Sequence, residues 1–326
     1  MFYLGVDGGG TKTVFLLMNE EGQIISHVTK GSSYYIQTQF AGFQRVLMEG
    51  ISEVCHEADI EIDEINYSFL GIPAFGEAEQ DSRRLGTIVQ EIVRNGRFRC
   101  GNDVEAGWAG SLACRPGINL VAGTGSIGFG KDPSGGTARA GGWGDFCGDE
   151  GSAYWLGTRL LSLFGKEADG REAKTPLYDI VRSHFGINRD FDLISIVYDL
   201  LKLQRDEIAK LALLVFQAAG QGDPKALALY HEAAYEHSLT VKSLLRQLHF
   251  DNGSDIPVSY SGGVFKAGEF ILTPLKKFLV DEPVRLIPPA LLPVTGAALY
   301  AMKLDGQPLT EPLIDKLRKQ EETIIR

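Results

Sequence analysis

Short apolar runs alternate with polar or glycine-rich breaks over the first thirty residues. Residues 2–6 are apolar and end at Asp7, and Gly8-Gly9-Gly10 is a turn signal. Residues 13–18 form a second apolar, β-rich run. Asn19-Glu20-Glu21-Gly22 reads as a hairpin turn, and residues 23–29 return as a third strand. Apolar residues then shift to helical spacing over 39–57, through Phe40, Phe43, Val46, Leu47, Ile51 and Val54. The pattern predicts a strand at 66–72, a helix at 80–94, a strand at 97–101 leading to Asp103, and a helix at 104–114.

The order partly repeats further along. Residues 118–122, 127–130 and 137–140 read as strands, separated by the turns Gly123-Thr124-Gly125-Ser126 and Asp132-Pro133-Ser134-Gly135-Gly136. Residues 151–164 read as a helix, and 172–250 are almost entirely helical in pattern. A strand at 256–260 runs into Ser261-Gly262-Gly263-Val264. A helix at 267–279, a strand at 284–287 and helices at 293–303 and 310–324 finish the chain. The order β-β-β-α-β-α-β-α, met once and partly repeated, fits a duplicated ribonuclease-H-like α/β fold. The expected division is a lobe at 1–116, joined by a C-terminal helix at about 310–326, and a lobe at 117–309 with a helical insertion at about 172–250.

Composition narrows the function. The 326 residues carry 32 Lys plus Arg against 42 Asp plus Glu, a net charge of −10, which argues against a nucleic-acid partner. The four cysteines are scattered, without a CxxC pair or a Cys/His cluster, which suits a reducing cytoplasm and weakens zinc and iron–sulfur readings. The start of the chain lacks a signal-peptide pattern, and no apolar stretch reaches 18 residues, so no membrane partner is expected. His231-Glu232 begins like a zincin motif, but the next histidine is His237, off the helical face that motif needs. Glycine is the outlier: 39 residues, about 12%, against a usual level of roughly 7%.

Those glycines cluster where chemistry is expected. Asp7-Gly8-Gly9-Gly10-Thr11-Lys12-Thr13, Gly123-Thr124-Gly125-Ser126 and Ser261-Gly262-Gly263 follow strands, and Gly141-Gly142-Trp143-Gly144 forms a fourth cluster. Glycine backbones let successive N–H groups converge on an anion, and Thr and Ser hydroxyls add further partners. A P-loop is excluded because Thr11, not glycine, precedes Lys12. Gly123-Thr124-Gly125-Ser126-Ile127-Gly128 spells GxGxxG, but a strand follows where a dinucleotide site needs a helix. Asp7 ends the first strand and is placed to hold Mg²⁺. Asp103 ends the fifth strand, where a carboxylate is placed to accept a proton from an attacking hydroxyl; the alternative is a helix N-cap.

The stretches 7–13, 123–126 and 141–157 (Gly141-Gly142-Trp143-Gly144-Asp145-Phe146-Cys147-Gly148-Asp149-Glu150-Gly151 and onward) resemble the BadF/BadG/BcrA/BcrD ATPase family of the actin/hexokinase/Hsp70 superfamily. Within that family the chain looks similar to N-acetylglucosamine kinases and related amino-sugar kinases. The resemblance implies ATP-dependent phosphorylation of an amino sugar, commonly at the 6-hydroxyl, in a central cleft of a bilobed, actin-like ATPase whose closure excludes water. It implies ATP contacts from Gly9, Gly10, Thr11, Lys12, Thr13, Gly123, Thr124, Gly125, Gly262, Gly263 and Ala267. Asp103 is then the catalytic base and Asp7 the Mg²⁺ residue. Tyr34, Asp103, Ser126, Ile127, Gly142, Trp143, Gly144 and Asp149 lie at the sugar.

Two positions depart from the family pattern. Tyr34 stands near an expected asparagine after the third strand, and Ile127 follows Gly-Thr-Gly-Ser where an asparagine can stand. Losing two amides points toward a bulkier or less polar substituent, such as a lactyl ether. Two other readings share the fold: an ATPase activator of a radical dehydratase or reductase, which binds an iron–sulfur cluster through cysteines, and a non-catalytic sugar sensor, which lacks the base. The cysteine spacing disfavours the first and the presence of Asp103 the second. The expected partners are ATP, a small-molecule sugar and a second copy of the chain in a homodimer.

Overall fold

The computed structural model describes residues 1–251 and 255–324. The chain divides into two compact units, one of residues 1–116 with the segment from 288 onward, the other of residues 117–287.

The first unit contains β1 (Phe2–Asp7), β2 (Lys12–Asn19), β3 (Ile24–Gly31), α1 (Tyr35–Glu57), β4 (Ile65–Ile72), α2 (Glu79–Ile92), β5 (Phe98–Asn102) and α3 (Asp103–Ser111). The sheet order is β3-β2-β1-β4-β5, antiparallel in the β1–β2–β3 meander and parallel from β1 through β4 to β5. Residues 13–18 of β2 are all buried, so the run is continuously apolar because the sheet is covered on both faces. Phe15 and Leu17 pack into the cluster with Phe43, Leu47 and Ile51 of α1. α1 begins at Tyr35, four residues before the helical spacing predicts, with a break at Gln39, whose φ is 61°. Asp103 and its neighbours start α3 directly from the end of β5.

The second unit contains β6 (Gly117–Ala122), β7 (Ser126–Lys131), β8 (Thr137–Gly141), α4 (Gly144–Cys147), α5 (Ala153–Ala168), α6 (Pro176–Phe185), α7 (Asp192–Ser195), α8 (Arg205–Lys210), α9 (Ala212–Gly220), α10 (Pro224–Gln247), β9 (Ile256–Ser261), α11 (Glu269–Phe278) and β10 (Val284–Ile287). Its sheet, β10-β9-β6-β7-β8, repeats the topology of the first: an antiparallel meander of three strands extended by two parallel ones. The helical stretch 172–250 resolves into five α-helices and a π-helical turn at Ile196–Leu200, and their Leu, Val and Ala residues share one core with Ile118, Leu120 and Val258 of the sheet. Residues 263–267 form a 3₁₀ turn, so α11 starts at Glu269, two residues later than the spacing predicts.

One boundary differs from expectation. α12 (Pro293–Leu304), assigned from sequence to the 117–309 lobe, belongs to the first unit, as does α13 (Glu311–Ile324). α12 is buried at every position from Val294 to Met302. It lies on β1 so closely that a Cβ at Gly5 would fall 2.3 Å from the Ala298 nitrogen. The Tyr300 ring packs tilted against Phe69 and edge-to-face against Trp108. A helix apolar on all sides announces that it is covered, but not by which sheet. The last two residues of the expected C-terminal helix, 325–326, lie outside the described residues.

Candidate active site

In the first unit, Asp7 closes β1 and pairs in register with Gly71 of β4, which pairs in turn with Gly101 of β5. A Cβ at Gly71 would lie 2.9 Å from the Ala106 Cβ and 3.3 Å from the Asp103 Cα. The missing side chain lets the start of α3 settle against the strand ends and leaves Asp7 and Asp103 within electrostatic reach. Burial, then the Asp103 charge, push the Asp7 carboxyl up to about 7, with Lys12 opposing. The N-cap of α3 is Asn102, whose side chain accepts from the Val104 N–H at 3.2 Å. Asp103 is therefore not the helix cap.

Two mutually repelling carboxylates at strand ends are a hard-oxygen donor set that a divalent cation would relieve. No group of three or more His, Cys, Asp or Glu side chains among the described residues could hold a metal by itself. Mg²⁺ needs no such cage, because it keeps water and phosphate oxygens as ligands. The residues present therefore fit it.

The first glycine loop is held by its neighbours. The Gly8 N–H donates to the Gly71 carbonyl at 2.8 Å, and the Ser32 hydroxyl to the Gly9 carbonyl at 3.0 Å. Gly10, Thr11 and Lys12 are exposed, and Gly9 is half-buried. Thr13 differs: it is fully buried, and its hydroxyl has no partner among the described residues. Strand alternation turns it away from the loop that its sequence position suggests. Tyr34 immediately precedes α1 and its N–H donates to the Ser32 hydroxyl, which places it beside the same loop.

In the second unit, Gly123 to Ser126 form the turn between β6 and β7. The Gly123 N–H closes the turn on the Gly125 carbonyl at 2.9 Å. The start of α5 holds the turn from behind: Ala153 and Tyr154 N–H groups donate to the Gly123 and Thr124 carbonyls. Ser126 is fixed inward. Its N–H donates to Asp149 at 3.0 Å and its hydroxyl to the Glu150 carbonyl at 2.7 Å. The Ser126 polar groups, assigned from sequence to the sugar, thus serve the loop itself. Asp149 is likewise buried, with one oxygen on the Ser126 N–H and the other on the guanidinium of Arg205.

The rest of the 141–157 stretch lies beside this turn. The Gly142 N–H donates to the Ser126 carbonyl, and Gly142, at φ 68°, leaves no room for a Cβ, which would meet the Ile127 side chain at 2.6 Å. Gly144 adopts φ 81° with open space around it, and Trp143 and Phe146 are exposed. Gly262, at φ 101°, brings the loop after β9 against the end of β6, where a Cβ would fall 2.3 Å from the Ala122 carbonyl oxygen. Gly263 is exposed, whereas Ala267 is packed in the core of the unit. The structure therefore gathers Gly123, Thr124, Gly125, Ser126, Ile127, Gly142 and Asp149 in one place, and Asp7, the first glycine loop, Tyr34 and Asp103 in another.

Comparison with known proteins decides the family. The sequence model of the BadF/BadG/BcrA/BcrD ATPase family matches residues 4–301. The chain belongs to that family. It is 30% identical to the N-acetylmuramic acid/N-acetylglucosamine kinase of Clostridium acetobutylicum over 282 residues, covering 85% of this chain and 90% of the relative. It is 28% identical to the N-acetyl-D-glucosamine kinase of Dictyostelium discoideum, covering 92% and 97%. A solved structure from Chromobacterium violaceum, provisionally named an N-acetylglucosamine kinase, superposes with a TM-score of 0.70 at 26% identity, covering 91% of this chain and 98% of that one.

In this BadF/BadG/BcrA/BcrD-family chain, four residues around the site carry no motif of their own: Gly71, Asn102, Arg205 and His237. Asn102 went unnoticed beside Asp103, although asparagine directly before a helix is a strong N-cap signal that could have found it. No such signal marks Arg205 and His237, because they come from helices distant in sequence. His237 of α10 is buried and contacts the Gly151 carbonyl through Nε2 at 3.2 Å, so a neutral ring with the proton on Nε2 supports the turn after Asp149. Burial lowers its pKa to about 4, the hydrogen bond to Gly151 opposing. Between pH 6.5 and 4 the unfolded chain takes a proton on His237 that the folded chain refuses, so the contribution of this group to stability falls as pH drops through that window, by about 2 kcal/mol by pH 5. Asp7, raised to about 7, contributes with the opposite sign over the same range. Thermal unfolding at pH 7 and pH 5 is therefore read as a difference: on going to pH 5 the wild type is expected to lose stability relative to His237→Gln. An equal change in both would remove His237 as a cause.

No helix among the described residues is long and apolar enough to cross a membrane.

Proposed function

We propose that this chain transfers the γ-phosphoryl group of ATP to the 6-hydroxyl of an amino sugar, with Asp103 as general base. Its place as an ATP-dependent carbohydrate kinase rests on the family match and on similarity, over most of the chain, to kinases of N-acetylmuramic acid and N-acetylglucosamine and, over 72% of it, to a glucosamine kinase. The observation that carries the choice of base is the capping of α3 by Asn102. That leaves the adjacent Asp103 carboxylate, at the strand end beside Asp7 and the first glycine loop, outside the helix-capping role.

In this reading the hydroxyl oxygen attacks the γ-phosphorus, the bond from that phosphorus to the β–γ bridging oxygen breaks, and the hydroxyl proton passes to Asp103. Asp7 would hold Mg²⁺ together with phosphate oxygens, supplying charge neutralisation at the nucleotide. Backbone groups of Gly9, Gly10, Thr11 and Lys12 in the first unit, and of Thr124 and Gly125 in the second, would contact the phosphates. The Gly262–Gly263 loop would flank the adenosine. Ile127 and Tyr34 would lie toward the sugar, with the backbone at Gly142, Trp143 and Gly144 completing its surroundings. An acidic chain can bind an anionic nucleotide this way because N–H groups and Mg²⁺ provide the local positive field.

The acceptor is the open element of specificity. Ile127 presents an aliphatic side chain against Gly142 in the second unit, and in the first unit Tyr34 is aromatic where an amide was expected. Both suit an acceptor whose substituent is larger and less polar than a hydroxyl. A coupled ADP-release screen over glucosamine, N-acetylglucosamine, N-acetylmuramic acid, N-acetylgalactosamine, N-acetylmannosamine and glucose is expected to give the highest kcat/KM for an N-acetylated hexosamine, with N-acetylmuramic acid a good acceptor. Highest kcat/KM for plain glucose would defeat this reading.

A further inference from the structure

We infer that Arg205, from the helical stretch between α5 and β9, is a positioning residue of the phosphoryl-transfer site. It acts through Asp149 on the Gly123–Ser126 loop. The inference rests on the proposed function for its kinetic readout, but its geometry lies wholly within the second unit.

The chain of contacts is continuous. Arg205 is the first residue of α8, and α8 lies directly on α5. That approach needs Gly157, the last glycine of the 141–157 stretch, because a Cβ there would fall 2.1 Å from the Ile208 carbonyl oxygen. With α8 so close, the Arg205 guanidinium reaches Asp149 and fills the space beside Gly125, where a Cβ would lie 2.3 Å from Nη2. Asp149 has its side chain only 3% exposed and adopts φ 60°, a conformation an L-residue takes at some cost. A buried carboxylate needs a partner charge, and Arg205 is the one bonded to it. The other Asp149 oxygen accepts the Ser126 N–H and so fixes the exit of the loop.

Removing the guanidinium therefore does more than delete a surface ion pair. It leaves a buried negative charge next to the turn that would face ATP phosphates. The carboxylate is then driven toward water, which releases Ser126 and loosens the turn. Arg205 thus ties the motif-free helical stretch to the glycine loop, a role that its 41% exposed side chain does not advertise.

The experiment uses the full-length chain with Arg205→Met, Arg205→Lys, Asp149→Asn and the Arg205→Met/Asp149→Asn double variant. Hydrogen exchange of the amides in 120–130 is read first, because it needs no substrate. Exchange at 123–126 is expected to quicken at least about tenfold in Arg205→Met while β1 and β2 stay as in the wild type. With the best amino-sugar acceptor, kcat/KM is expected to fall about 10²-fold in Arg205→Met and to recover most of that loss in Arg205→Lys. In the double variant the loss should be no greater than in Asp149→Asn alone, because one residue acts through the other. Wild-type exchange at 123–126 in Arg205→Met overturns the inference. If that variant fails to fold, Arg205→Gln is read in its place, and wild-type exchange at 123–126 there, together with losses that add in Arg205→Gln/Asp149→Asn, does the same. A wild-type chain that phosphorylates no amino sugar removes the proposed function instead, and the exchange result still decides the role of Arg205.

Discussion

Asp103→Asn is expected to lower kcat by about 10³-fold while leaving the affinity for ATP within about twofold of the wild type. General-base catalysis contributes about 10²- to 10⁴-fold, and asparagine keeps the shape of the side chain while removing its capacity to take a proton. The fold should tolerate the change, because Asn102 rather than Asp103 caps α3. A second readout follows from the neighbouring carboxylate. Asp7 is raised to about 7, first by burial and second by the Asp103 charge. Without that charge its pKa should move down but stay above the usual carboxylate range, because burial persists. Steady-state kinetics, nucleotide titration and carboxyl NMR read the three quantities separately. Unchanged turnover in Asp103→Asn would exclude it as the base.

Gly296→Ala is expected to be the most damaging single methyl in the first unit. The backbones of α12 and α3 cross at Gly296 and Gly110, and a Cβ at 296 would fall 1.9 Å from the Gly110 nitrogen and 2.2 Å from its Cα. No side chain can give way there, since both obstacles are backbone atoms, so the helices must part. Overpacking of this kind costs about 3 kcal/mol. For a unit of this size that lowers Tm by roughly 6–12 °C. Because α3 begins at Asp103, the displacement also moves the proposed base, and a shift of about 1 Å costs about 10²-fold in rate. Gly86→Ala is the matched control: Gly86 lies inside α2 with open space around it. There the substitution is expected to stabilise by about 0.5–1 kcal/mol. Equal Tm values for the two variants would refute the helix-crossing argument.

The two substitutions separate what each level of description supplies. The Gly-rich turns were legible because each glycine cluster stands at a strand end. The order of strands and helices, and with it the α/β fold class, followed from the order of short apolar runs. Asp7 and Asp103 were legible as carboxylates at strand ends, a placement that local pattern determines. The direction in which each side chain points was not. Thr13 sits in the motif yet is buried on β2, and Ser126 and Asp149 bond each other instead of presenting both polar groups outward. Ala267 follows a glycine turn yet packs in a core.

By itself the sequence determined the alternation of strands and helices, the duplicated three-strand meander, the glycine turns and the residue types that phosphoryl transfer requires. These are local properties, set by spacing and by the backbone freedom of glycine. The tertiary structure alone decided that α12 covers the first sheet and that Arg205 and His237 support Asp149 and Gly151. Each of those depends on two segments meeting through space, and their close approach is set by backbone contacts at Gly5, Gly151 and Gly157. No periodicity along a single chain records such a meeting, because the partners are chosen by packing between elements and not by the elements themselves.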